Sequence, residues 1–253
     1  MITKKNISEH ILLATISRPE TRNAIDPEVM RELGELVTEL EQNEDILVFI
    51  LTGEGTDSFI SGGDLIKFHT IKSQDKAEEM SRKMHHILNR IEKLPCWTIA
   101  CVNGDVYGGG IETMLAFDFR LSAPSVKFGF TQGRFSLVPG WGGLTRLTEN
   151  AGRAKALEWL GKSSVISANT ALIHGVIGHI LPGENLEKET LEWVEDLTKN
   201  DRTFIHTLKQ GANHFSEARE QVLSSEIEPF AKLWVKEDHL KRVESFINEK
   251  QER

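Results

Sequence analysis

Glu112 follows three consecutive glycines, in the segment Gly108-Gly109-Gly110-Ile111-Glu112, where an apolar run passes through the glycines into a helical pattern. Glycine lets a backbone approach a ligand closely and take φ > 0. The N–H groups that open a helix lack partners and point outward, and the helix dipole there favours negative charge. The segment is therefore suited to hold an anion or a developing oxyanion, with Glu112 in the first helical turn as a neighbouring acid or base. A tight strand-to-helix packing turn needs the same glycines, with Glu112 serving only the dipole. The fragment alone leaves both readings open. It lacks the GxGxxG spacing, which argues against a dinucleotide site.

Two further glycine turns stand elsewhere, Ser61-Gly62-Gly63-Asp64 and Pro139-Gly140-Trp141-Gly142-Gly143. Each alone reads as an ordinary capped loop. Together they allow two backbone donors to converge on one oxygen, which is how enzymes stabilise a thioester enolate. Other chemistry finds little support. His85 and His86 are adjacent on a helix and do not share a face, and no third ligand is spaced to complete a metal site. No GxSxG nucleophile elbow occurs.

The elements that must position these turns follow from periodicity. Ile11–Ser17, Ile46–Thr52 and Trp97–Val102 read as strands, the last two buried on both faces. Asp26-Pro27 opens a helix whose apolar face is Met30, Leu33, Val37 and Leu40. Asp64 caps a helical stretch over Leu65–Ile71, and a longer helix runs from Lys76 to Leu94, where Pro95 ends it. Ile111–Ala116 is expected as helix, and Phe117–Ser122 and Val126–Phe130 as short strands. Recurring strand-turn-helix units predict an α/β domain with parallel sheets covered by helices. From Arg153 onward the pattern is nearly all helical, ending in a charged amphipathic stretch over Glu217–Glu249.

The chain has 253 residues, 27% of them charged, and a net charge of −8. The length suits one large domain. The acidic balance argues against a nucleic-acid or membrane-surface binder, both of which want a basic face. No apolar run approaches the ~20 residues of a membrane span, and the N-terminal residues carry no apolar signal core. Cys96 and Cys101, at an odd separation on one strand, point to opposite faces and are expected as reduced thiols. A cytoplasmic location is the expectation.

Three spaced segments resemble the crotonase (enoyl-CoA hydratase/isomerase) superfamily. Arg18-Pro19-Glu20-Thr21-Arg22-Asn23-Ala24-Ile25 is similar to its RPxxxNAL motif, and Phe59 through Leu65 to its FxxGxDL loop. Val102-Asn103-Gly104 through Asp118, then Phe128-Gly129 and Pro139 through Leu147, resemble VNGxxxGGGxE…D…FG…PGxGGxxRL. The similarity covers roughly residues 10–250.

That resemblance implies a spiral of ββα units, with a crotonase-like α/β core over 1–195 and a C-terminal helical region over 196–253 in a single structural unit. It implies an acyl-CoA substrate, no metal or redox cofactor beyond the coenzyme A of the substrate, and assembly as a homotrimer or hexamer. It places the thioester oxygen between the N–H groups of Gly63 and Gly109. It places Ala24, Asp64, Leu65, Ile66, Gln132 and Gly140 among the substrate-binding residues, with Arg22 and Lys250 as candidates for the CoA phosphates. Hydratases of the family use two glutamates. Glu112 matches the first, and the second falls on Gln132, seven residues before Pro139, with neither Gly133 nor Arg134 replacing it. Glutamine holds water but exchanges no proton at neutral pH, and losing a general acid/base costs ~10²–10⁴ in rate. Decarboxylation of a malonyl-type thioester forms the enolate without a base. Asp118-Phe119-Arg120-Leu121 and Trp141 through Leu147 look like ethylmalonyl-CoA decarboxylase-type members. The resemblance thus points first to a methyl- or ethylmalonyl-CoA decarboxylase, next to a hydratase or double-bond isomerase using Glu112, and last to a non-catalytic acyl-CoA binder.

Overall fold

The computed structural model describes residues 1–212 and 216–251. β1 (Ile2–Asn6) and β2 (Ile11–Ile16) form an antiparallel pair, and α1 (Pro27–Gln42) follows. Three strand pairs come next. β3 (Val48–Gly53) and β4 (Ser58–Ile60) precede α2 (Leu65–Phe68) and α3 (Gln74–Lys93). β5 (Trp97–Val102) and β6 (Asp105–Tyr107) precede α4 (Gly109–Met114). β7 (Phe119–Ser122) and β8 (Lys127–Gly129) precede a 3-10 turn at Thr131–Phe135, then α5 (Gly143–Ala151) and α6 (Arg153–Gly161). β9 (Val165–Ser167), α7 (Ala168–Ile173), β10 (His179–Ile180) and α8 (Leu186–Val194) lead to the C-terminal helices α9 (Arg202–Ala212), α10 (Ser216–Ser224), α11 (Ile227–Trp234) and α12 (Glu237–Gln251).

The first strand of each pair joins a six-stranded sheet of order β1-β2-β3-β5-β7-β10, and the second joins a four-stranded sheet, β4-β6-β8-β9. The chain thus winds as a spiral of ββα units. β4, β6 and β8 are parallel neighbours in the small sheet. Their carboxyl ends open side by side into Ser61–Gly63, Gly108–Gly110 and the turn that carries Gln132, and carboxyl ends of parallel strands are where α/β folds place ligands.

Local physics accounts for the framework. Asp26 accepts from the N–H groups of Glu28 and Val29 at 3.0 and 2.9 Å, Pro27 takes the first helical position, and α1 buries Met30, Leu33, Val37 and Leu40. The faces of β5 serve two separate cores. Cys96 and Ala100 pack with Leu33 and Phe49, whereas Ile99 and Cys101 pack with Val48 and Ile50. The two free thiols lie on opposite sides, as their odd separation requires.

Several elements depart from the sequence expectation. β1 is an added edge strand, exposed along Lys4 and Lys5, and its charges hide the two-residue alternation. The helix expected over Leu65–Ile71 ends at Phe68. Two short strands, β9 and β10, interrupt the region read as helical after Arg153. The stretch read as charged and amphipathic over Glu217–Glu249 is divided among three helices, with breaks after Ser224 and after Trp234.

Candidate active site

A cavity of about 90 Å³ lies where the three strand ends meet α2, α3 and α11. Gly63, Gly109, Glu112 and Gln132 line it, together with apolar side chains that include Met80, Trp141 and Phe230. Among the described residues that line it, Glu112 is the sole ionisable side chain.

Gly63 and Gly109 present their N–H groups for different reasons. Ile25 N–H donates to the Gly62 carbonyl and Asp64 N–H to the Ile25 carbonyl, both at 2.8 Å, so the bridge to Ile25 uses the groups flanking Gly63 and leaves its own N–H turned the other way. Gly109 is the first residue of α4, where a helical N–H has no partner within the helix. Each glycine of the triplet is needed on separate grounds. Gly108 has φ +50, a Cβ on Gly109 would come within 2.3 Å of the Trp141 ring, and one on Gly110 within 2.1 Å of the Ile60 carbonyl oxygen.

Glu112 is 4% exposed and is held mainly by backbone. Its Oε2 accepts from Trp141 N–H at 2.7 Å and Gly143 N–H at 3.0 Å, and its Oε1 from Gly140 N–H at 3.4 Å and the Gln132 amide at 3.3 Å. The turn Pro139–Gly143 is therefore a cradle for the carboxylate. Gly143 must be glycine, because a Cβ there would lie 2.3 Å from Glu112 Cγ. Burial pushes the Glu112 carboxyl up to about 7, and the nearby Glu226 adds to the rise, while the donors from Trp141, Gln132 and Gly143 pull against it. Gln132 Oε1 is buried and has no partner among the described residues. A carboxyl poised near neutrality on the same cavity as the Gly63 and Gly109 N–H groups can pass a proton to or from a carbon whose electrons are held on a neighbouring oxygen.

The surrounding shell fixes this geometry. Arg18 bridges the caps of two helices, at 2.9 Å from Asp64 and 3.3 Å from Asp26, with all three buried. Asn23 donates to the Ser58 carbonyl at 2.7 Å and accepts from Arg18 N–H at 3.1 Å, tying the first motif to β4. Arg146, 1% exposed, donates to the Trp141 carbonyl at 3.1 Å and pairs with Glu92.

The structure brings together Gly63, Leu65, Gly109, Glu112 and Gln132 on one cavity. The remaining candidates fall elsewhere. Gly140 packs on the Phe230 ring and turns its N–H to Glu112, so it supports the acid rather than facing the cavity. Asp64 caps α2 and pairs with Arg18. The Ala24 carbonyl is taken by Arg18, and Ile66 is 46% exposed, away from the cavity lining. Arg22 and Lys250 are both exposed. Asp118 receives Thr98 and Lys209, and Arg120 clasps the Val176 and Phe117 carbonyls, so neither is at the site. Of the segments likened to decarboxylases, Trp141 is the side chain that reaches the cavity.

Glu226 was not anticipated. It accepts from Leu144 N–H at 3.1 Å and from the Thr145 N–H and hydroxyl at 2.7 and 2.6 Å. Burial raises its carboxyl, against those donors. No local motif marks it; its one signal is an acid set among Leu223, Ile227 and Phe230, all of which are buried.

Comparison with known proteins agrees with this arrangement. YngF of Bacillus subtilis is 30% identical over 213 residues, covering 84% of this chain and 81% of its own. The short-chain-enoyl-CoA hydratase of Clostridium acetobutylicum is 26% identical, covering 95% and 92%. The crystal structure of the Bacillus anthracis enoyl-CoA hydratase superposes with a TM-score of 0.81 at 25% identity, over 98% of this chain and 96% of that one. The family model described as enoyl-CoA hydratase/isomerase matches residues 6–253. A match of that extent, over a spiral fold whose glycine turns meet at a buried glutamate, means that this chain is an enzyme of the enoyl-CoA hydratase/isomerase family.

Proposed function

We propose that this enzyme decarboxylates a short alkylmalonyl-CoA, with Glu112 as its one proton-transferring side chain. The observation that carries the reading is that Glu112 is the sole ionisable group among the described residues lining the cavity. The thioester oxygen sits between the Gly63 and Gly109 N–H groups. The bond from the α-carbon to the free carboxylate breaks, CO₂ leaves, and the electron pair becomes the enolate held by those donors. The protonated Glu112 carboxyl then delivers its proton to the α-carbon and is reprotonated from solvent. An apolar cavity with no lining cation favours this step. It does not stabilise the substrate carboxylate, and it suits the uncharged CO₂ that forms. Glu112 with its carboxyl near 7 also spares the substrate a second full negative charge at neutral pH. The reading requires no group beyond the coenzyme A of the substrate.

Hydration is the second reading. The relatives named short-chain-enoyl-CoA hydratase and, from Syntrophomonas wolfei, crotonyl-CoA hydratase favour it. In this chain the water would lie between Glu112 and the Gln132 amide, whose Oε1 lacks a partner among the described residues.

The two are separated by mass analysis of products from ethylmalonyl-CoA and crotonyl-CoA offered to the same enzyme preparation. Butyryl-CoA from the first, with the second little changed, is the expected result. Rapid conversion of crotonyl-CoA to its 3-hydroxy product, with ethylmalonyl-CoA intact, replaces decarboxylation with hydration.

A further inference from the structure

The Trp141 indole lies against both glycines that flank the proposed thioester oxygen. Its ring carbons are 2.3 Å from where a Cβ on Gly109 would stand and 3.5 Å from where one on Gly63 would. The side chain is 4% exposed and lines the cavity. Its main chain is pinned from both sides. The N–H donates to Glu112 at 2.7 Å, and the carbonyl accepts from the buried Arg146 at 3.1 Å. The main chain is thus fixed on both sides of the residue, and the indole itself is placed by its packing against Gly109 and Gly63.

We propose that Trp141 is the specificity-determining residue that limits the acyl group to a short chain. The inference rests on the acyl-CoA reading of the cavity and is independent of which reaction follows. A thioester with its carbonyl at Gly63 and Gly109 and its α-carbon at Glu112 meets the indole at the next carbons. The cavity is small, about 90 Å³, and the indole forms the wall that meets both glycines. Met80, Phe68 and Phe230 also line the cavity; Phe68 lies 3.4 Å from where a Cβ on Gly63 would stand, whereas the indole lies against both glycines.

The test is calorimetric binding of saturated butyryl-, hexanoyl-, octanoyl- and decanoyl-CoA, which bind without undergoing decarboxylation or hydration. In the wild-type enzyme, affinity should stay flat or fall beyond butyryl-CoA. In Trp141→Leu, each added methylene should strengthen binding by up to about fourfold until the opened space is filled. Octanoyl-CoA should then gain at least about tenfold over butyryl-CoA, relative to the wild type. Trp141→Phe keeps an aromatic core and serves if the leucine variant does not fold; it should show the same trend more weakly. A variant that binds butyryl-CoA normally and keeps the wild-type chain-length profile overturns the proposal. So does a wild-type enzyme whose affinity climbs with every methylene. Failure of every CoA ester to bind the wild type overturns the acyl-CoA reading itself, and the role of Trp141 with it. Failure of decarboxylation alone leaves this outcome untouched.

Discussion

Glu112 and Glu226, far apart in the chain, are bound at the same end of one helix. Gly143 N–H, at the start of α5, donates to Glu112, and the next two N–H groups, of Leu144 and Thr145, donate to Glu226. The unpaired amides of one helix N-terminus thus hold two buried carboxylates. Each raises the cost of ionising its neighbour, and the proximity of Glu226 is the second-largest cause of the raised Glu112 carboxyl after burial.

Removing the Glu226 charge should therefore make Glu112 a stronger acid. If Glu112 delivers a proton in its neutral form, wild-type kcat falls as pH rises through about 7. In Glu226→Gln that descending limb should move to lower pH, with activity at pH 7 reduced. A kcat–pH profile of both proteins checks this. A rate that instead rises through about 7 makes Glu112 a base and removes it as the proton donor.

Glu112→Gln should lower kcat by ~10²–10⁴. It should also alter the dependence of stability on pH. A carboxyl whose folded value is about 7, against an ordinary 4.5, is held in its neutral form by folding. Its contribution is complete below about 4.5 and is lost as pH rises to about 7. Urea unfolding at pH 5 and pH 8 should therefore show the wild type losing on the order of 2–3 kcal/mol more than Glu112→Gln. Equal losses in the two proteins would show that the Glu112 carboxyl titrates normally.

Gln132→Glu would place a second carboxylate where an amide now lies 3.3 Å from Glu112. Two carboxylates that close share one proton. Hydration of crotonyl-CoA, followed by loss of enoyl absorbance, should rise by about 10²-fold, the usual worth of a general acid/base. No gain would mean that this position does not decide the chemistry.

Arg18→Met should leave Asp26 and Asp64 buried without their shared cation. Losing one partner of a buried ion pair costs about 3–5 kcal/mol, which a shift in the urea midpoint would report. A loss below about 1 kcal/mol would mean that the two caps do not depend on Arg18.

Local signals made much of this fold legible. Asp26-Pro27 marks a helix start because cap and first-turn chemistry are carried by adjacent residues, and β5 matches its expected span because an apolar run between Pro95 and Asn103 has few other solutions. That Gly63, Gly109 and Glu112 come together on one cavity was legible through the spaced motifs. What was not legible depends on distant neighbours. Pro139–Gly143 reads as a glycine turn, but that its donors aim at Glu112 is settled only when α4 and α5 lie together. Glu226 carries no motif, only the sign of an acid set among apolar residues. Arg18 binds both the Ala24 carbonyl and the Asp64 carboxylate, contacts across the fold that no local pattern announces.

The cradle of Glu112 also bears on how such a site can be rebuilt. Three of its four hydrogen bonds come from main-chain N–H groups, and those amides stay in place whatever side chains surround them. The walls of the cavity can therefore be exchanged to admit other acyl groups while the acid keeps its aim. Proton transfer and substrate choice are here separable parts, which makes the scaffold open to redesign one wall at a time.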